Sequence, residues 1–206
     1  MPETRAFALA VGLAALALVA FAPAADRASA QAAPTLRAQP PAGHRIWYPG
    51  PKIPQIASPD GRRRPVRSLL DIPHAMAFGD YVWDEDGVPP GPLWVRVDVG
   101  AQLISVFRGE HEIGAAVILY GGLGKPTPVG AFHVLQKAKD YVSHTYDAPM
   151  PYMLRLTGDG VAVHASEVRP GWATHGCIGV PMAFARRLFA EARLGDTVLI
   201  TGNPKS

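Results

Sequence analysis

The chain contains one cysteine, Cys177, within ATHGCIGVP (173–181). A thiol is a weak nucleophile until it loses its proton. A nearby imidazole can take that proton, and a positive local field can hold the thiolate. Two histidines compete for this part. His175 stands two residues before the cysteine, and His164 ends the stretch GVAVH. The segment ASEVRPGWA (165–173) separates His164 from Thr174 and is long enough to loop back. Both rings can therefore meet one sulfur. Gly176 lets the backbone turn sharply, so that the amides of Gly176 and Cys177 can face an oxyanion. Thr174 can orient His175 through its hydroxyl or its carbonyl.

The same residues allow two other readings. Cys177 can be a buried, inert thiol, as an odd cysteine often is. Or His164, His175 and Cys177 can hold zinc through two nitrogens and a sulfur, completed by His133, His144 or Asp147. The H-x-C spacing is unusual for zinc, and there is no C-x-x-C or H-E-x-x-H, so no metal is expected.

These groups need a scaffold. LWVRVDV (93–99) alternates, with Leu93, Val95, Val97 and Val99 on one face, which predicts a strand with one buried side. QLISVF (102–107) follows a Gly-Ala turn, so the pair predicts a hairpin, and EIGAAVILYG (112–121) predicts a third strand. GLGKPTPVG (122–130) reads as a loop and AFHVLQK (131–137) as a strand. MLRLTGDGVAVH (153–164) reads as two strands around the turn 158–160, and DTVLIT (196–201) as the last strand. One helix is expected, at about 182–193. Pro181 sits in its first turn, Phe184, Leu188, Phe189 and Ala192 form its stripe, and Gly195 follows its end. The fold class is mainly β, a sandwich or partly open barrel with one notable helix.

The first thirty residues predict export. AFALAVGLAALALVAFA (6–22) is apolar throughout, and ASA (28–30) is a small-x-small cleavage site that leaves Gln31 as the new N-terminus. The apolar run is short for a membrane span of roughly 20 residues. Contact with a membrane is thus expected only during export. An exported cysteine normally pairs, yet Cys177 has no partner in the chain. The formal net charge is +3 and is unchanged by removal of residues 1–30. That mild excess suits an anionic cell wall and calls for no nucleic acid. Residues 31–65 are rich in Pro, Ala and Gln and predict a disordered linker. Residues 66–91 lead into a folded domain over 92–206.

Four segments in order, GLGKPTPVGAFHV (122–134), APMPYMLRL (148–156), VAVHA (161–165) and THGCIGVP (174–181), resemble the L,D-transpeptidase catalytic (YkuD) domain. The resemblance runs from about residue 92 to 202. It implies a β-sandwich of mixed sheets. It also implies a periplasmic enzyme that attacks the bond after the third residue of a peptidoglycan stem tetrapeptide. That third residue is often meso-diaminopimelate. The cysteine forms a thioester and releases D-alanine, and an amine then takes the acyl group, giving a cross-link or an attached protein. Some relatives cleave such links instead, and carbapenems acylate the same cysteine in many. Such chemistry serves cell-wall cross-linking, remodelling and cell shape. By position, Cys177 is the nucleophile, His164 the general base, and His175 the residue that shapes the oxyanion region. Gly176 supplies a backbone amide, Thr174 orients, and Tyr152, Met150 and Pro151 border the substrate. No cofactor is required, since a base and an oxyanion hole suffice.

The chain departs from the family just past the cysteine. Gly179 stands where many relatives carry arginine or asparagine. Loss of one charged contact to a substrate carboxylate costs about 1.5–3 kcal/mol. Arg155, Arg169 and Arg186 are candidate replacements. Ala165 stands where other relatives carry Ser or Gly.

Overall fold

The computed structural model describes residues 45–202. The export segment and the first part of the linker lie outside them. Five short strands come first: β1 (Arg45–Trp47), β2 (Gln55–Ala57), β3 (Arg63–Pro65), β4 (Ser68–Leu70) and β5 (Tyr81–Trp83). The alternating segment forms β6 (Leu93–Asp98), which pairs antiparallel with β7 (Leu103–Arg108) as the turn between them requires. Then come β8 (His111–Val117), β9 (Gly130–His133), β10 (Gln136–Ala138), β11 (Val142–Ser143), β12 (Ala148–Pro149), β13 (Met153–Arg155), β14 (Ala162–Ala165) and β15 (Ile178–Val180). Helix α1 (Met182–Glu191) and β16 (Thr197–Thr201) close the order.

The large sheet runs β1-β4-β8-β7-β6-β16-β9, with β5 also on β8, and the small sheet runs β10-β13-β14-β15. Both contain parallel and antiparallel pairs. One core joins them: Val95, Val97 and Ile104 from the large sheet, Leu154, Val163 and Ile178 from the small one, and Phe184 and Leu188 from α1. The helix begins where expected, with Pro181 as its N-cap, and ends at Glu191, two residues early. The expected strand 131–137 is two strands. The chain leaves the large sheet after His133 and enters the small one at Gln136, with buried Val134 at the crossing.

Residues 45–65 correct the expectation of a disordered linker reaching residue 65. β1 pairs with β4, and the β2–β3 hairpin lies over the outer face of β6. There Trp94 stacks on Phe107 with ring centroids 4.1 Å apart, and Arg64 sits 5.2 Å from the Trp94 ring. Val66 and Leu199 are buried with them, and Ile56 packs against the group. β6 is thus covered on both faces rather than one. Each buried aromatic removes roughly 150–250 Å² from water, at most about 4–6 kcal/mol of hydrophobic stabilisation per ring.

Arg45 fixes the other end of this segment. Its guanidinium donates to the Ser68 hydroxyl (3.2 Å), the Asp84 carbonyl (2.7 Å) and the Glu112 carbonyl, and lies 3.7 Å from the Asp84 carboxylate. Glu112, buried beneath, accepts from the Leu70 amide at 3.0 Å. No hydrophobic period marks this segment because its order comes from such long-range polar partners.

Candidate active site

The site forms where β14 and β15 run parallel. The register sets His164 beside Gly179, so Cys177, two residues earlier, falls next to Ala162. The nine-residue loop returns the chain so that the segment after Cys177 pairs with the strand that carries His164. Cys177 is half-buried with Met150, Met153, Ala162 and Tyr141. Its thiol points to the Gly160 carbonyl at 3.7 Å, and the Ala162 amide donates towards the sulfur. Burial pushes the Cys177 thiol up, against the Ala162 amide and the charge of Lys125, while Asp159 adds to the rise.

His164 lies on the neighbouring strand, across from Gly179. Its Nδ1–H donates to the Ala165 carbonyl at 2.8 Å, which leaves Nε2 with a lone pair. Burial holds its pKa below the usual imidazole value, and the Ala165 bond opposes only part of that. An imidazole held in this tautomer, with its Nε2 lone pair free, can accept a proton. Ala165 thus acts through its backbone, and its own amide is held by the Pro151 carbonyl at 2.9 Å.

The loop before the cysteine is braced from the opposite side. Thr174 donates through its hydroxyl to the Cys177 carbonyl at 2.5 Å, rather than to His175. The Thr127 hydroxyl donates to the Gly176 carbonyl at 3.0 Å and accepts from the Gly121 amide at 2.9 Å. Gly176 has φ +99°, a left-handed conformation that glycine adopts freely. Among the described residues, neither the Gly176 nor the Cys177 amide is tied to a loop or turn carbonyl.

His175 is exposed, and its ring stacks on Tyr146, with centroids 4.4 Å apart and planes at 15°. Tyr146 comes from the turn between β11 and β12, a hairpin the sequence did not announce. The zinc set is not assembled: among the described residues no three His, Cys, Asp or Glu side chains gather as ligands. His133 lies on the large sheet, bonded to the Gly195 carbonyl at 3.1 Å.

Of the three residues expected to border the substrate, Met150 packs with Cys177, and Pro151 meets β14 through its carbonyl. Tyr152 is not brought to the cysteine. Its φ of +55° turns the side chain towards α1, where its ring meets Phe189 edge-on at 5.7 Å. Tyr141 stands by the thiol instead. Tyr141, Lys125 and Thr127 were not expected at the site. Only Thr127 had a signal, as the threonine of the TPxG segment.

Gly179 is filled, not vacant. A Cβ there would lie 2.9 Å from the Ser166 Cβ and 3.4 Å from the Leu119 Cβ. Gly179 also bonds Leu119 in both directions, at 2.8 and 3.0 Å, linking the chain beyond β8 to β15. Gly179→Asn is expected to lower stability by about 1–3 kcal/mol through overpacking. Ser166→Gly in the same chain restores most of it. Urea denaturation of the single and double variants checks this, and equal midpoints for both would refute the steric account. Among the candidate replacements, Arg155 donates to the Tyr141 hydroxyl at 2.9 Å, next to the thiol group. Arg169 is paired with Glu167 at 2.9 Å, and Arg186 is exposed on α1.

The model of one protein family, described as L,D-transpeptidase catalytic domain (YkuD), matches residues 92–200. The chain is 29% identical over 209 residues to L,D-transpeptidase 1 of Mycobacterium tuberculosis, covering 79% of this chain and 83% of that one. Its fold is similar to that of the L,D-transpeptidase (Yku) from Stackebrandtia nassauensis, with a TM-score of 0.52, 24% identity, and 58% of this chain and 60% of that one covered. It is also similar to LD transpeptidase LdtMt1, solved in complex with imipenem, with a TM-score of 0.51, 23% identity, and 53% and 58% of the two chains covered. The match thus spans about 60% of the length of these solved relatives.

Proposed function

This chain belongs to the L,D-transpeptidase catalytic-domain family, and from that premise we propose that it is a cysteine peptidyltransferase acting on peptidoglycan stem peptides. One observation carries the mechanism: His164 is fixed through Nδ1 to the Ala165 carbonyl, on the strand beside the one that begins just after Cys177. The Cys177 sulfur attacks the carbonyl of the third stem residue while His164 Nε2 takes the thiol proton. The tetrahedral oxyanion faces the Gly176 and Cys177 amides. Collapse breaks the C–N bond, and the histidine returns its proton to the departing D-alanine amine. A thioester remains. An incoming amine gives its proton to His164, attacks the thioester, and expels the sulfur, which regains the proton as the thiol. Water in place of the amine gives hydrolysis by the same steps.

The work is done in the periplasm, after export and cleavage behind Ala30, in cross-linking or remodelling of the wall. Thr174 holds the cysteine's carbonyl, His175 with Tyr146 walls the site, and Met150 and Pro151 flank the acyl donor. A carbapenem carries a strained acyl group and is expected to acylate the same sulfur.

Intact-mass and muropeptide mass spectrometry test this reading. The purified protein is expected to release D-alanine from disaccharide tetrapeptides, and a thioester adduct is expected to map to Cys177. Neither release nor adduct, with an alkylatable thiol, refutes it and favours a wall-binding relative without catalysis.

A further inference from the structure

Lys125 places a cation at this site, and among the described residues its ammonium has a ring contact with Tyr146 but no ion-paired carboxylate. Its side chain lies along the nucleophile loop: a Cβ on Gly176 would meet Lys125 Cγ at 3.7 Å. Its ammonium lies 5.8 Å from the ring of Tyr146, which in turn stacks on His175. Other half-buried cations are engaged. Arg96 is paired with Asp98, Arg108 with Glu85 and Glu191, and Lys137 with the Phe189 and Ala192 carbonyls. Arg155 is bonded to Tyr141. Among the described residues, no carboxylate pairs with Lys125. Asp159 is the nearest in effect, for the two charges act on one another and on the thiol. Yet the Asp159 carboxylate takes the Thr157 hydroxyl as its hydrogen-bond partner.

An ammonium on a flexible stem, beside a nucleophile and with no carboxylate in direct ion-pair contact, is suited to capture an anion on the molecule attacked. Gly179 offers no side chain for this, and Ser166 closes the space behind it. The geometry points to Lys125 as the residue that selects acyl donors carrying a free carboxylate beside the scissile carbonyl. This rests on the proposed peptidyltransferase function and adds a substrate requirement to it. The two residues that flank the scissile bond of a stem tetrapeptide offer two carboxylates. One ends the departing residue, and the other lies on the side chain of the third residue when that is a diamino diacid.

Three synthetic donors separate these sources: both carboxylates free, the terminal one amidated, or the side-chain one amidated. The wild type is expected to lose about 10- to 100-fold in kcat/KM on one of the two amides, the scale of one charged contact. Lys125→Met is expected to lose the same factor on the free diacid, mainly in KM, and almost nothing on that amide. Lys125→Arg recovers most of the loss. The amide that abolishes the dependence on Lys125 identifies the carboxylate. An equal loss on all three donors, or none, overturns the inference and leaves the enzyme's function standing. A wild type inert to all three, with Cys177 still open to iodoacetamide, overturns the function and this inference together.

Discussion

Cys177→Ala is expected to end acyl transfer, and His164→Gln to slow it about 10²–10⁴-fold while leaving the thiol in place. The two losses have different pH signatures. In the wild type, His164 must be unprotonated to accept the thiol proton. Burial lowers its pKa, so the acid limb of kcat/KM falls below the ordinary histidine value of about 6.5. Activity is present above that limb and is lost as pH drops through it. The Cys177 thiol is shifted the other way, above its ordinary value. Without His164, attack must wait for the free thiolate. The glutamine variant therefore loses the acid limb and gains rate with pH, up to and beyond about 8.5. Alkylation by iodoacetamide follows the thiolate and rises over the same high range. Fast alkylation of the wild type near neutrality would show a preformed thiolate–imidazolium pair and refute the general-base order of events.

Gly121→Ala is the second large effect, acting through backbone packing. A Cβ on Gly121 would lie 2.2 Å from the Lys125 carbonyl oxygen, 2.7 Å from the Thr127 nitrogen and 2.8 Å from the Gly176 Cα. All three are backbone atoms, so no side-chain end can swing aside. The methyl must separate the 121–127 loop from the nucleophile loop. That breaks the Thr127 link between the Gly121 amide and the Gly176 carbonyl. Overpacking of this kind costs about 3 kcal/mol or more. For a domain of this size that is roughly 6–12 °C in Tm. A shift of about 1 Å at the reacting sulfur removes on the order of 10²-fold in rate. Thr127→Val keeps the shape and loses only the two bonds, so it is expected to fall between Gly121→Ala and the wild type. A thermal melt and a D-alanine release assay measure both. Wild-type Tm and rate in Gly121→Ala would show that the two loops need not touch.

The scaffold under these residues was legible where local pattern decides structure. β6 and β7 follow from alternation and one turn, and α1 from its stripe of Phe184 and Leu188. That the segment after Cys177 returns alongside the strand of His164 was legible because the loop between them is long enough to double back. Residues 45–65 were not, since Arg45 is ordered by Glu112 and Asp84, far along the chain. Trp94 was the neglected clue. A large aromatic on the supposed solvent face of β6 needs a cover, and β2–β3 supplies it. Lys125 and Tyr146 reach the site from loops whose course depends on the finished fold. Tyr152 shows the reverse case. The sequence pattern placed it at the substrate, but with its positive backbone angle its ring lies against Phe189.

The position of β16 sets a clock for the enzyme. This last strand, Thr197–Thr201, is wedged between β6 and β9 in the large sheet rather than added at its edge. Its register to β6 joins residues about a hundred positions apart, Val198 to Val95 and Ile200 to Val97. Until those five residues arrive, β6 and β9 have no common neighbour, and Leu199 cannot seal the layer with Trp94 and Phe107. Long-range pairings of this sort form late, after their loop-closure entropy has been met. A chain emerging N-terminus first thus carries its complete THGC segment before it has a rigid frame to aim it. The frame that holds Cys177 is complete only once Thr197–Thr201 has paired with β6 and β9.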